Sequence, residues 1–187
     1  MKTEVPKSRC GKLLTSEPVI VITTVDGQGH ANGAAFGSYV RVAPLIMVAI
    51  YPGHHTYQNI KETGEFVVNL PGRDQLDTIM TFGTSFPQGV NEIEEAGLTA
   101  LESLVVKPPR IAEYKAHVEC TYAWEKDVGG GHMLVAGEMI AGSCDEGLLD
   151  EEGYFDVVKA GVVHIVRYPQ PVYISPEGYV RGKGAEG

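Results

Sequence analysis

The stretch Tyr51-Pro52-Gly53-His54-His55-Thr56 sets two imidazoles and a hydroxyl at the start of a short helical pattern. Three chemistries are open to such a grouping. Imidazoles ligate transition metals, a helix start holds anions, and a threonine caps a helix. A metal site needs further ligands, and His30, His117, His132 and His164 offer no i, i+4 zinc spacing. No metal site is expected. Capping is the simplest reading, with Thr56 as N-cap of a helix over 56–63, Asn59 three positions on, and Gly64 as the terminator. Anion binding is compatible with capping, because first-turn N–H groups and the helix dipole favour a phosphate. His54 and His55 would add donors.

Two other places carry polar chemistry. In Phe36-Gly37-Ser38-Tyr39-Val40, Gly37 and Ser38 expose backbone and a hydroxyl. A bend or bulge explains them, and so does a flat or phosphorylated ligand lying against a strand. His132 follows Gly129-Gly130-Gly131 at the mouth of a strand. It is either a structural histidine or one placed for ligand contact or proton transfer. The chain has no GxSxG elbow, no Walker lysine motif, and no GxGxxG opening a helix. Nucleophilic catalysis and a Rossmann site are not expected. The acidic pairs Glu94-Glu95 and Glu151-Glu152 read as solvated surface.

The elements that must position these groups are mostly strands. Residues 18–25 are β-branched, 31–42 read as a returning strand rich in small residues, and 45–51 form a fully apolar strand after Pro44. A run apolar on both faces is expected to be central in a sheet. A fourth strand spans 65–70, and helical spacing appears over 74–82 and 90–97. Residues 116–126 and 132–143 read as a hairpin turning at the three glycines, with Val118, Cys120, Tyr122 and Trp124 on one face. An acidic stretch, 146–157, is peripheral, and short strands end the chain at 162–168 and 171–175. About seven strands and two or three short helices predict one mainly β, barrel-like domain over 1–187.

Bulk properties narrow the class. The chain has 187 residues, 43% hydrophobic and 21% charged, with net charge −9. That acidity disfavours nucleic-acid partners. No run approaches the roughly 20 apolar residues of a membrane span. Cys10, Cys120 and Cys144 form no disulfide framework, and no apolar leader is visible, so a cytoplasmic setting with reduced thiols is expected.

In order and spacing, PVIVITTVDGQGHANGAAFGSYVRVAPLIMVAIY, HHTYQNIKETGEFVVNLP, Phe82-Gly83, HVEC, GGHMLVAGEMIAG and PVYIS with Tyr179 resemble the flavin reductase-like family of the FMN-binding split barrel, flavoredoxin-type proteins included. The resemblance runs from about Pro18 to Tyr179. It implies a Greek-key split barrel that forms homodimers, with FMN near the interface. Position by position, it implies that Phe36, Gly37, Ser38, Tyr39 and Val40 line the flavin ring and ribityl chain, and that Asn32 reaches the flavin. Tyr51 and the loop through His54 form a second flavin segment, with His55, Thr56 and Asn59 nearest the phosphate. Phe82 and Gly83 lie beside the cofactor, and His132 lies near the flavin or nicotinamide. Small residues at Gly33, Ala34, Ala35 and Gly37 would let a planar ring approach.

The chain departs from the family in having Ala34 and Ala35 where Ser or Asn is common, and histidines where Lys or Arg often serves the phosphate. The loop Gly89-Val90-Asn91-Glu92-Ile93-Glu94-Glu95 is acidic where some relatives are basic. Arg41 is a candidate to compensate. The implied activity is hydride transfer from NADH or NADPH to flavin, then electron passage to free flavin, an iron chelate, an acceptor protein or a partner monooxygenase. Two alternatives remain. One is a flavoredoxin-like FMN electron carrier that reacts poorly with nicotinamides. The other is a split barrel without flavin, binding haem or pyridoxal phosphate or acting as a structural dimer.

Overall fold

The β-branched run Ile20–Val25 is buried along its whole length because it is covered on both faces. Ile20 and Ile22 join one apolar cluster, while Val21 joins a second on the opposite side. The computed structural model describes residues 2–167 and 170–179; Tyr168, at the end of the expected strand 162–168, lies outside the described residues. The strands are β1 (Glu17–Pro18), β2 (Ile20–Val25), β3 (Ala31–Phe36), β4 (Tyr39–Val42), β5 (Leu45–Ile50), β6 (Glu65–Leu70), β7 (Ala100–Leu101), β8 (Arg110–Ile111), β9 (Ala116–Asp127), β10 (Met133–Cys144), β11 (His164–Arg167) and β12 (Val172–Ile174). The α-helices are α1 (His55–Thr63), α2 (Leu76–Thr81) and α3 (Glu92–Glu95), with 3-10 turns at Lys7–Leu13 and Arg73–Gln75.

A seven-stranded antiparallel sheet has the order β3-β2-β6-β9-β10-β5-β4. Its two edge strands, β3 and β4, are consecutive in the chain, joined by Gly37 and Ser38 alone. The sheet must therefore curl until its edges meet, which makes it a split barrel. Inside lie Ile20, Ile22, Phe36, Ile46, Val48, Ile50, Phe66, Val68 and Val135, with Ile60 of α1 closing one end. β1, β11 and β12 form a small separate sheet, and β7 pairs with β8.

Three expectations change. The single strand expected over 31–42 is two strands on opposite edges, because the chain turns at Gly37. A Cβ there would sit 3.2 Å from Ile165 and 3.3 Å from the Glu17 carboxylate, so the turn is wedged against β1 and β11. β5 is not central but second from the edge. Ile46, Val48 and Ile50 are buried, whereas Leu45, Met47 and Ala49 are only half-buried. Trp124 leaves the face shared by Val118, Cys120 and Tyr122. A register shift makes Ala136 pair with Trp124 and Gly137 with Tyr122, so Ala123 is an extra residue that reverses the alternation.

The space at Gly33 is filled by the protein itself. The ring of Phe82 lies 2.5 Å from where a Cβ would stand, and Phe82 is buried with Val21, Ile93, Ile111 and Tyr114. Gly33 thus admits an aromatic side chain of this chain, not the flavin ring expected there. Gly33→Ala is expected to cost about 2 kcal/mol by overpacking, read as a lower midpoint in urea unfolding.

Candidate functional site

Helix α1 begins one residue earlier than expected, and its N-cap is His54, with extended backbone and no side-chain cap bond. Thr56 is not the cap. It is the second helical residue and 1% exposed. Its hydroxyl donates to Asn32 Oδ1 at 3.0 Å, inside the protein. The N–H groups of His55 and Thr56 have no acceptor within the helix, as at any helix start. Gly64 terminates α1 as expected, in the left-handed conformation, with its N–H bonded to Ile60 O.

A chain of buried polar groups fixes this turn. Thr24 Oγ1 also donates to Asn32 Oδ1 at 3.3 Å, and Asn59 Nδ2 donates to Thr24 Oγ1 at 3.0 Å. Asn32 Nδ2 donates to Glu92 Oε2 at 2.8 Å, and the same oxygen accepts the Gly33 N–H at 2.7 Å. Asn32, expected to reach a flavin, is buried with both ends of its amide engaged. On the far side of α1, Lys61 donates to Glu125 Oε1 at 3.1 Å and to the Tyr122 hydroxyl at 3.0 Å.

The remaining candidates fall into neighbouring places. Gly37, Ser38, Tyr39 and Val40 line a cleft of about 330 Å³ together with Ser16–Pro18, Met47 and Leu134. Beyond Leu134, at the end of the β5–β10 pairing, Tyr51 makes edge contacts with His54 and His132, ring centroids 5.6 and 6.2 Å away. All three glycines before His132 have positive φ, and His132 Nδ1 lies 3.2 Å from Gly130 O. His54 titrates below an ordinary histidine, first because it is partly buried and then because His132 and His55 are near. Burial thus favours its neutral form.

Past α1, His55 and Asn59 line a narrow crevice with Asp26, His30, Asn32 and Gln88–Val90, about 10 Å³ and room for one water molecule. Phe36 and Phe82 belong to the core, and Gly83 is exposed on the loop after α2. Arg41 is exposed on β4. Among the described residues no group of three or more His, Cys, Asp or Glu side chains is arranged to hold a metal ion.

Sequence reasoning missed Glu92, His30 and Asp26. Glu92 sits in a run that reads as solvated acid, and only the fold brings it against β3. His30 is oriented by Asp26, whose Oδ2 lies 2.9 Å from Nδ1. Asp26 and His30 lie between the strands expected over 18–25 and 31–42, and their proximity to α1 comes only from the fold.

A half-open β-barrel with a cleft at its edge is a ligand-binding class, and cofactor-sized sites usually span roughly 300–1,000 Å³. A family model for the flavin reductase like domain matches residues 13–163, and the chain belongs to that family. It is 32% identical, over 156 residues, to an uncharacterized protein of Methanothermobacter thermautotrophicus, covering 80% of this chain and 74% of that one. Among solved structures it is similar to nitrilotriacetate monooxygenase component B from Bacillus cereus, with TM-score 0.85, 25% identity, and 97% and 98% of the two chains covered. It has the same fold as flavoredoxin of Desulfovibrio vulgaris (Miyazaki F), with TM-score 0.85, 19% identity, and 100% and 99% covered.

Two buried groups give this fold an unusual pH profile. Burial raises the Glu92 carboxyl to about 7, against its bonds to Gly33 and Asn32. Burial lowers His117 to about 4, helped by the Arg110 charge. A raised carboxyl means the folded state holds its proton longer, so stability from Glu92 is full below about 4.5 and is lost as pH rises through 7. A lowered histidine acts oppositely: its contribution is full above about 6.5 and is lost as pH falls through 4. The two offset each other. Glu92→Gln removes one, and its stability relative to the parent should rise by about 3 kcal/mol between pH 4.5 and pH 8, measured by urea unfolding across that range.

Proposed function

We propose that this chain is a homodimeric, FMN-binding oxidoreductase that takes a hydride from NADH or NADPH and passes the electrons to a second acceptor. The observation that carries this reading is the order of neighbouring candidates. Gly37–Val40 and Leu134 wall the cleft, His132 two residues before Leu134 packs on Tyr51, Tyr51 packs on His54, and His54 is the N-cap of α1. That order suits a planar ring, a flexible chain and a phosphate.

FMN supplies the redox chemistry when bound. The protein binds and orients. Backbone and small side chains at Gly37 and Ser38 face the ring. The α1 dipole and two N–H groups hold the phosphate; among the described residues neither the cleft lining nor the crevice lining includes a Lys or Arg. His55 donates alongside them. Tyr51 and His132 border the open side, where a nicotinamide would enter and water would be displaced. No general base is required for hydride transfer. The similarity to a monooxygenase component B favours a partner enzyme as the final acceptor. Three free thiols fit a cytoplasmic setting.

The dimer accounts for the outer face of the sheet. Val40 and Val42 are 48% and 58% exposed and Trp124 40%, beside half-buried Leu45, Met47 and Leu134. An apolar patch of this kind marks an association surface, and it adjoins the cleft through Val40, Met47 and Leu134.

Purified protein titrated with FMN should turn yellow and bind stoichiometrically. Mixing the loaded protein with NADH and NADPH in a stopped-flow instrument should bleach the flavin on a catalytic timescale with at least one of them. Binding without bleaching would favour the electron-carrier reading, and no binding would defeat both. Val42→Asp should convert the dimer to a monomer by light scattering after gel filtration, and should weaken FMN binding at least about tenfold, or about 1.4 kcal/mol.

A further inference from the structure

We propose that Glu92 is the positioning residue for the phosphate-binding turn, acting through Asn32 on Thr56. This rests on the FMN reading above. The geometry is specific. Glu92 is 5% exposed, and one oxygen, Oε2, accepts from both the Asn32 side chain and the Gly33 backbone. Because Oε2 already accepts the Gly33 N–H, it faces Asn32 as an acceptor too, and Asn32 presents Nδ2 to it. Its Oδ1 is then turned the other way, toward the hydroxyls of Thr24 and Thr56. Thr56 is the second residue of α1, so its bond ties the first turn to β3.

The carboxylate itself is held firmly. Ile93, next in the chain, is fully buried with Val21, Phe82, Ile111 and Tyr114, and Asn91 caps α3 by accepting the Ile93 N–H at 3.2 Å. Residues Gln88–Val90, just before, line the crevice beside His55 and Asn59. Glu92 therefore couples the 88–95 segment to the helix start without touching the ligand. Remove it, and Asn32 and Gly33 lose an acceptor in a buried place. The amide is free to flip, and the Thr56 tether loosens. A buried group left unpaired is costly, and here the loss falls on the end of the site that meets the phosphate.

Riboflavin, which lacks the phosphate, separates positioning from general damage. Dissociation constants for FMN and riboflavin are measured on the full chain by flavin fluorescence, for the parent, Glu92→Ala and Glu92→Gln. Glu92→Ala should weaken FMN at least about tenfold and riboflavin less than about threefold. Glu92→Gln keeps an oxygen able to accept both N–H groups, and should hold both ligands within about threefold. Thr56→Val removes the hydroxyl while keeping shape, and should reproduce the FMN-selective loss even if Glu92→Ala does not fold. Equal weakening of both flavins, or an unchanged FMN affinity in Thr56→Val, would overturn the proposal while leaving FMN binding intact. A parent protein that binds neither flavin would overturn the FMN reading, and this one with it.

Discussion

Two residues, Gly37 and Ser38, bridge the opposite edges of a seven-stranded sheet. Such a link spans at most about 10 Å, so the sheet has to curl until β3 and β4 stand side by side. Everything at the site follows from that closure. The turn itself becomes a cleft wall, because it runs along the seam where the sheet has no ladder partner. The barrel interior becomes a single apolar cluster filled from both sheet halves. One end is closed by α1, whose Ile60 enters the cluster.

The second constraint is polar. A helix start near a barrel mouth brings buried hydroxyls and amides with it, and each needs a partner. Thr24, Asn32, Thr56, Asn59 and Glu92 satisfy one another in a connected set. This arrangement resolves the capping question raised by the sequence. The Thr56 hydroxyl is used inward, on Asn32, and does not cap the helix. His54 stands at the cap position without using its side chain to cap.

Much of this was legible in the sequence, and the failures have physical causes. Strand 65–70, the Gly64 terminator and the triple-glycine turn follow from local propensity and φ preferences, and they stand where expected. The break at Gly37 was not legible, since the residues that wedge the turn, Glu17 and Ile165, are remote in sequence. The Trp124 reversal depends on a bulge that leaves no compositional mark. Glu92 looked like surface acid because burial of a carboxylate depends on what docks against it, and the edge of β3 lies some sixty residues away in sequence. The flavin reductase-like family and its split barrel were legible because motif order survives when individual residues change.

The outer face and the site belong together. Val40, Met47 and Leu134 contribute both to the exposed apolar surface and to the cleft, so the proposed dimer would adjoin the proposed flavin site. The central claim is that the phosphate is held by the backbone of the α1 start. Amide NMR tests it most directly, by following the His55 and Thr56 N–H signals as FMN or riboflavin is added. The account predicts large shifts of both signals, and slowed hydrogen exchange, with FMN and little change at these two positions with riboflavin. Equal responses to the two flavins, or no response at His55 and Thr56 when FMN binds, would contradict it.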